Sequence, residues 1–296
     1  RKAPFVHIFP HWDFNPGQTV DVRVCSNAPR VELFLNGDSM GAFDIDHAHG
    51  EKLTADYSIA YVPGELKALA YDEDGKVIAE DITRSFGDAE RLEVSADKSA
   101  LRADGRDIAY IEVSALDSDG NFCANAGNRV NVTVEGAGRL LGLDNGDSTD
   151  YDQYKGTSRR LFSGKMLAVI GSVRESGGIT VRFTSPGLPD SVIRLDSVPA
   201  AEIPGASCSE RVSAAPTECG RTDEIPVRKI ELRADRLLFT EDCREIRVTP
   251  VIFPANADYA DDIEYRITTE TGIVTGAAEF TQEPDGAVTV RAQGDG

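Results

Sequence analysis

Residues 19–41, TVDVRVCSNAPRVELFLNGDSMG, decide the fold of this chain. Val20, Val22 and Val24 alternate with polar side chains, so one face of this segment is expected to be buried and the other solvated. Asn36-Gly37 is the dipeptide that best tolerates positive φ at both central positions of a tight turn between antiparallel strands. The stretch therefore predicts a β-hairpin on an amphipathic sheet.

Short alternating segments recur along the chain and are separated by turn residues. Near the C-terminus, for example, Ile263, Tyr265 and Ile267 alternate with polar residues and predict a strand. No segment carries a sustained apolar period of 3.6 residues. Many short strands at this spacing are typical of β-sandwiches. We therefore expect an all-β chain with less than about a tenth of its residues in helix, against about a third in an ordinary globular protein.

The length of 296 residues suits two or three domains of roughly 100 residues each. Strand patterns and turn residues place domain one at 1–86 and domain two at 87–198. Residues 199–227 contain four prolines among Ser, Ala, Thr and Gly and show no apolar periodicity, which indicates a linker. Alternation resumes in domain three, 228–296.

The composition excludes several classes of partner. A net charge of −19 and a pI near 4.6 argue against nucleic acid, because phosphate binding needs clustered Lys and Arg. No apolar run approaches the roughly 18 residues that span a bilayer. The chain starts at Arg1 rather than Met, and a strand-like segment follows at once. We take this start as a cut inside a longer chain, so the lack of a signal peptide does not locate the protein.

Two blocks of sequence resemble a known family. The segments HWDF (11–14), PG (16–17) and VELFLNG (31–37) resemble the region directly after the catalytic barrel in family 2 glycoside hydrolases, the β-galactosidase and β-glucuronidase group. Residues 92–188 resemble the immunoglobulin-like domain that follows it in many bacterial β-galactosidases. Domain three resembles, less specifically, the bacterial immunoglobulin-like repeats of surface proteins. The implied fold is three immunoglobulin-like β-sandwich domains in series.

The resemblance implies an accessory C-terminal region of a bacterial β-galactosidase. In that family the catalytic glutamates lie on a (β/α)₈ barrel of roughly 250 residues, and this chain lacks the alternation of strand and helix that such a barrel needs. We therefore expect no catalytic, cofactor-binding or metal-binding residue here. The expected partner is the upstream barrel of the same parent chain, packed against the segment Phe5–Phe14, with a weak contact to polysaccharide. The resemblance also implies a periplasmic or extracellular parent protein.

Two segments carry residue types that bind metals, and each also suits a plain turn or loop. His47 and His49 would project from one side of a strand as a metal pair, or lie in a solvated loop of Gly, Asp and His. The segment DNGDSTDYD (144–152) offers several hard oxygens that suit Ca²⁺. It lacks the order of an EF-hand, and Asn-Gly-Asp is equally what a tight turn requires.

The tryptophan and the cysteines leave alternatives open. Trp12 is the single Trp and either packs in a core or stacks on a sugar ring. The cysteines show no zinc-type spacing, and Cys208 and Cys219 flank a segment in which they are either bridged or free. Cys25, Cys123 and Cys243 complete the set.

Two other functions compete with an accessory region. One is an adhesin-like stack of immunoglobulin domains that binds a surface partner. The other is a free-standing carbohydrate-binding module, which would need several exposed aromatic residues on one face. The HWDF segment favours the accessory region, because an adhesin has no need of a barrel-exit sequence.

Overall fold

The computed structural model describes residues 3–47, 49–50, 53–201, 223–258, 262–269 and 271–293. These residues form β-strands, turns and loops, and no helix occurs among them. The described part of the chain accordingly contains no helix that is long and apolar enough to cross a membrane. The predicted all-β sandwich fold is confirmed.

The chain divides into two compact units, Arg1–Gly87 and Asp88–Gly296. The strands of the first unit are β1 (Val6–Phe9), β2 (Thr19–Ser26), β3 (Arg30–Leu35), β4 (Asp38–Asp44), β5 (Thr54–Ala60), β6 (Glu65–Tyr71) and β7 (Val77–Arg84). They form two antiparallel sheets, of order β1-β2-β5 and β4-β3-β6-β7. The alternating valines of β2 are buried, together with Val31, Leu33 and Leu66. The core of a β-sandwich thus follows the period of two that the sequence shows.

The Asn36-Gly37 turn has the predicted conformation. Asn36 has φ 52° and Gly37 has φ 91°, so both central residues lie in the left-handed region. Leu35 pairs with Asp38 across the turn, which closes the β3-β4 hairpin. The Asn36 side chain also accepts a hydrogen bond from the Glu65 backbone N–H at 2.8 Å and so joins the turn to β6.

The second unit contains a larger sandwich. Its strands are β8 (Arg91–Ala96), β9 (Ala100–Arg102), β10 (Ile108–Leu116), β11 (Arg129–Gly136), β12 (Gly138–Asp144), β13 (Ser158–Arg160), β14 (Lys165–Ser172), β15 (Gly177–Ser185) and β16 (Leu188–Val198). The two sheets have the orders β12-β14-β10-β8 and β13-β11-β15-β16-β9. Fully buried Ile111, Ile170, Ile179 and Phe183 form the centre of the core.

A further four-stranded sheet belongs to the same unit. It has the order β17-β18-β20-β19, built from β17 (Lys229–Ala234), β18 (Glu245–Phe253), β19 (Ala278–Gln282) and β20 (Val288–Ala292). Two ion pairs connect this part of the chain to the larger sandwich. The buried Arg228 side chain donates from Nε to the Asp88 carboxylate at 2.7 Å, and Glu224 pairs with Arg160.

The predicted strand around Tyr265 is wrong. Residues 262–267 are not in a strand, and the nearest pairing is a single bridge between Thr268 and Val274. The Tyr265 hydroxyl donates to the Gly286 carbonyl at 3.2 Å, and its ring lies 6.1 Å from the ring of Phe280 on β19. The side chain therefore packs on the sheet, while β19 takes the place beside β20.

Most of the predicted linker 199–227 lies outside the described residues, as do Cys208 and Cys219. Among the described residues, Cys25 and Cys243 are free thiols, and the buried Cys123 thiol donates to the Asn121 carbonyl at 3.8 Å.

Candidate functional site

The outer face of the three-stranded β1-β2-β5 sheet carries an open hollow of about 800 Å³. Because side chains alternate along a strand, the buried valines of β2 leave the residues between them on this outer face. The side chain of Phe9 is 50% exposed there and is followed by Pro10. The hollow is lined by Phe9, Pro10, Asp21, Val22, Arg23, Cys25, Asp56, Tyr57 and Ser58.

Two of the charged groups that line this hollow, Arg23 and Asp56, are paired with each other. Arg23 Nε donates to Asp56 Oδ1 at 2.6 Å, and the hydroxyl of Thr54 donates to the other Asp56 oxygen at 2.9 Å. Next to them, the His7 ring contacts the Phe9 ring edge-on, with the two centroids 4.4 Å apart. The hollow therefore offers an apolar ring beside the Arg23–Asp56 ion pair, which suits packing against another surface.

Trp12 lies in the core of the first unit. Its side chain is fully buried, and Nε1 donates to the Val62 carbonyl at 3.0 Å. The Trp12 ring lies 5.0 Å from the ring of Tyr61 and 6.1 Å from that of Phe14. The structure thus supports the packing interpretation of Trp12, because no ring face is open to a sugar.

His47 and His49 have different partners. The His47 ring donates from Nε2 to the Ala28 carbonyl at 3.3 Å, and His49 Nδ1 lies 2.8 Å from Asp46 Oδ2. Both residues lie in a turn rather than a strand. Across the described residues, no three His, Cys, Asp or Glu side chains are grouped so that they would hold a metal ion.

The acidic segment 144–152 is a series of turns closed by its own side chains. Asp144 Oδ1 accepts from the Gly146 N–H at 3.0 Å, and Asp147 Oδ1 accepts from the N–H and the hydroxyl of Thr149 at 2.8 and 2.7 Å. The two hydrogen bonds from Thr149 lower the pKa of Asp147. This arrangement is that of Asx turns, the alternative that the sequence left open beside calcium.

Two buried arginine side chains form ion pairs with carboxylates of the same segment. Arg159 is fully buried, and its Nε lies 3.2 Å from Asp150 Oδ2. Arg129, also buried, donates from Nη1 to Asp152 Oδ2 at 2.7 Å. Buried arginines need such partners, since an unpaired buried charge is strongly unfavourable.

The loop from 145 to 157, which we name the tyrosine loop, displays two aromatic rings. Tyr151 is 97% exposed and Tyr154 is 62% exposed. The Arg159 guanidinium lies over one side of the Tyr154 ring, 4.7 Å from its centroid. The sequence did not reveal this feature, because the segment was interpreted only as a set of oxygen ligands or as a tight turn. The two tyrosines in a segment of turn residues were the available signal.

Among the described residues, each carboxyl group with a clearly shifted pKa has a lowered pKa. Hydrogen bonds lower the pKa of Asp104, Glu112 and Asp147, and the Lys98 ammonium, with backbone N–H groups, lowers the pKa of Asp107 to about 2. The general acid of a glycoside hydrolase needs the opposite, a raised pKa. These four carboxylates are therefore suited to structural ion pairs and turns.

Known proteins resemble both units. Residues 92–194 match the family model "Glycoside hydrolase family 2 C-terminal domain 5", and residues 17–79 match "Domain of unknown function (DUF4982)". The β-galactosidase BoGH2A of Bacteroides ovatus is 37% identical over 195 residues, which cover 65% of this chain and 22% of that protein. A β-glucuronidase of Formosa agariphila is 28% identical over 67% of this chain and 20% of that protein.

Solved structures agree with these matches. A β-glycosidase from Bacteroides vulgatus superposes with a TM-score of 0.62 at 29% identity, over 66% of this chain and 25% of that one. A family 2 glycosyl hydrolase from Bacteroides cellulosilyticus gives a TM-score of 0.61 at 31% identity, over 66% and 29%. The chain spans about a fifth of the length of the curated relatives named above. Residues 92–194 thus match a C-terminal domain of family 2 glycoside hydrolases, and the resemblance seen in the sequence is confirmed for this part of the chain.

Proposed function

We propose that this chain is a non-catalytic accessory region of a family 2 glycoside hydrolase of the β-galactosidase type. One observation carries the proposal: the match to a family 2 C-terminal domain falls on a β-sandwich, and the chain aligns with about a fifth of enzymes named β-galactosidase and β-glucuronidase. The chemistry would then be performed by a catalytic barrel encoded in the same reading frame. The chain's part is to brace that barrel and to contact polysaccharide.

The hollow around Phe9 is the surface that we propose for bracing the barrel. It lies beside the segment Phe5–Phe14, which in the family follows the barrel. Phe9 presents an exposed apolar ring, and the Arg23–Asp56 pair beside it is already neutralised. Covering the exposed half of such a ring contributes about 1 kcal/mol. We further propose a periplasmic or extracellular location, for which a net charge of −19 would favour solubility.

A charge on Phe9 tests the bracing role. In the protein expressed from the full reading frame, Phe9→Asp is expected to lower the Tm of the catalytic part, because a carboxylate would face the barrel. The matched control is Val77→Asp, on β7 of the same unit, where the side chain is 45% exposed. In the isolated 296-residue chain both variants should unfold at the wild-type temperature. Equal Tm values for the two variants in the full protein would contradict the proposal.

A further inference from the structure

The tyrosine loop presents two exposed aromatic rings on an anchored backbone. Two aromatic rings, those of Tyr151 and Tyr154, project into solvent within four residues of each other. Exposed aromatic rings of this kind bury a large area when a flat apolar surface covers them. The loop is also fixed in place, which an incidental surface loop need not be.

The backbone at Tyr151 is anchored on both sides. Asp150 before it and Asp152 after it are held by the buried Arg159 and Arg129, at 3.2 and 2.7 Å. The Asp152 N–H also donates to Asp150 Oδ1 at 2.8 Å, which closes a turn around the tyrosine. The segment that carries Tyr151 is therefore ordered before any ligand arrives.

The ring of Tyr154 is supported on one side and open on the other. Arg159 lies 4.7 Å from its centroid, and the Tyr154 carbonyl accepts from the Leu143 N–H at 2.7 Å. Gly142 allows this close approach, since a Cβ there would lie 2.7 Å from the same carbonyl oxygen. A ring that is held in this way loses little conformational entropy on binding.

The charge around the rings selects the kind of ligand. Residues 144–157 contain four carboxylates and a single cation, Lys155. Two of those carboxylates, Asp144 and Asp147, belong to turns at the start of the segment and have no arginine partner in a described ion pair. An anionic chain would be repelled here, because like charges placed together are unfavourable.

We propose that the tyrosine loop binds a neutral polysaccharide by stacking the faces of pyranose rings on Tyr151 and Tyr154. Pyranose rings present C–H groups on their faces, and these pack on aromatic rings without requiring charge. The inference rests on the proposed function, in which the accessory region contacts polysaccharide, and it names the site and the class of sugar chain. It assigns the accessory region a role in holding the enzyme near its polymer.

Affinity electrophoresis of the 296-residue chain tests this site. Native gels containing soluble β-1,4-galactan or polygalacturonate serve as the neutral and the anionic probe. We expect galactan to retard the wild type and polygalacturonate to leave it unretarded. Tyr151→Ala together with Tyr154→Ala should weaken galactan binding about tenfold. The matched control is Tyr110→Ala, a tyrosine of β10 in the same unit that is 46% exposed and should bind like wild type.

Further variants separate stacking from loss of fold. Tyr154→Phe should retain binding, because stacking uses the ring and not the hydroxyl, and circular dichroism should be unchanged in every variant. No retardation of the wild type, full binding by the double variant, or stronger binding to polygalacturonate would each overturn the inference. Hydrolysis by the full-length protein is measured separately. Hydrolysis without galactan binding would overturn this site and leave the proposed bracing role of the accessory region standing.

Discussion

At the scale of single residues, the turn at Asn36 shows how closely the first unit is packed. Asn36 Oδ1 accepts from the Glu65 N–H at 2.8 Å, and its Nδ2 donates to the Pro63 carbonyl at 3.2 Å. Between these two partners lies Gly64, with φ 141°. A Cβ on Gly64 would lie 1.8 Å from Asn36 Oδ1. The β3-β4 turn therefore requires glycine at a position that lies outside the turn itself.

Gly64→Ala should lower the free energy of unfolding of the first unit by about 1–3 kcal/mol, because the Asn36 side chain must move away from its partners. The measurement is a urea titration followed by the fluorescence of Trp12, the single Trp. Asn36→Gly removes the obstructing oxygen, so Gly64→Ala should cost less in that background. Equal costs in both backgrounds would contradict this explanation.

Asp107 makes the stability of the second unit depend on pH. Its carboxylate accepts from Lys98 Nζ at 2.7 Å and from the backbone N–H groups of Arg102 and Ile108 at 2.8 and 3.0 Å. These hydrogen bonds lower its pKa from 3.8 to about 2. Since the folded pKa is the lower one, the stabilisation is present above about pH 4 and is lost as the pH falls towards 2.

Asp107→Asn should therefore destabilise the second unit by about 1–2 kcal/mol at pH 7, and the deficit should shrink between pH 4 and 2. Urea titrations followed by circular dichroism across this pH range provide the measurement. Asp190→Asn is the matched control, because its carboxylate pairs with the half-exposed Arg182 at 3.0 Å. A deficit for Asp107→Asn that is constant from pH 7 to pH 2 would count against the mechanism.

Local sequence predicts the conformation or burial of some of these residues and not of others. Asn36-Gly37 and the alternating valines of β2 determine their conformation through neighbours in the sequence, so the hairpin was predictable. The burial of Arg159 was not, because it depends on how the sandwich packs around β13 and not on the pattern of neighbouring residues. The segment around Tyr265 alternates in sequence but does not form a strand. Alternation indicates which side chains face the core, and it does not determine which backbone groups pair.

At the scale of an element, the tyrosine loop depends on the ion pair below it. Arg159→Met leaves Asp150 without its buried guanidinium and should destabilise the second unit by about 3–5 kcal/mol. Arg182→Met removes a similar Arg–Asp pair from the same unit, but that arginine side chain is 50% exposed, so a loss of at most about 1 kcal/mol is expected. Thermal unfolding of both variants checks the difference. Similar Tm values would mean that burial of the pair does not matter.

The candidate site at this scale was only partly predictable. The sequence identified the segment 144–152 as unusual and offered calcium or a turn as its explanation. The structure uses the carboxylates as turn caps and arginine partners, and it exposes the rings of Tyr151 and Tyr154 to solvent. A side chain's exposure depends on the whole sandwich, so no local pattern could show that these two rings are exposed.

At the scale of the whole molecule, the central claim is a division of labour. A glycoside hydrolase needs two carboxyl groups held across the scissile bond, one of them with a raised pKa. In the described residues, hydrogen bonds from lysine, backbone N–H and hydroxyl donors lower the pKa of each carboxyl group whose pKa is clearly shifted. These four carboxylates serve ion pairs and turns, and under the proposed function the chemistry belongs to the barrel.

The measurement that tests this claim most directly compares hydrolysis of a nitrophenyl β-galactoside by the purified 296-residue chain and by the protein expressed from the full reading frame. The account predicts hydrolysis by the full protein and a rate for the chain alone that equals the buffer blank. Heat-labile hydrolysis by the pure chain, lost when one of its own carboxylates is replaced by an amide, would contradict the account, because it would place a catalytic pair on these β-sandwiches.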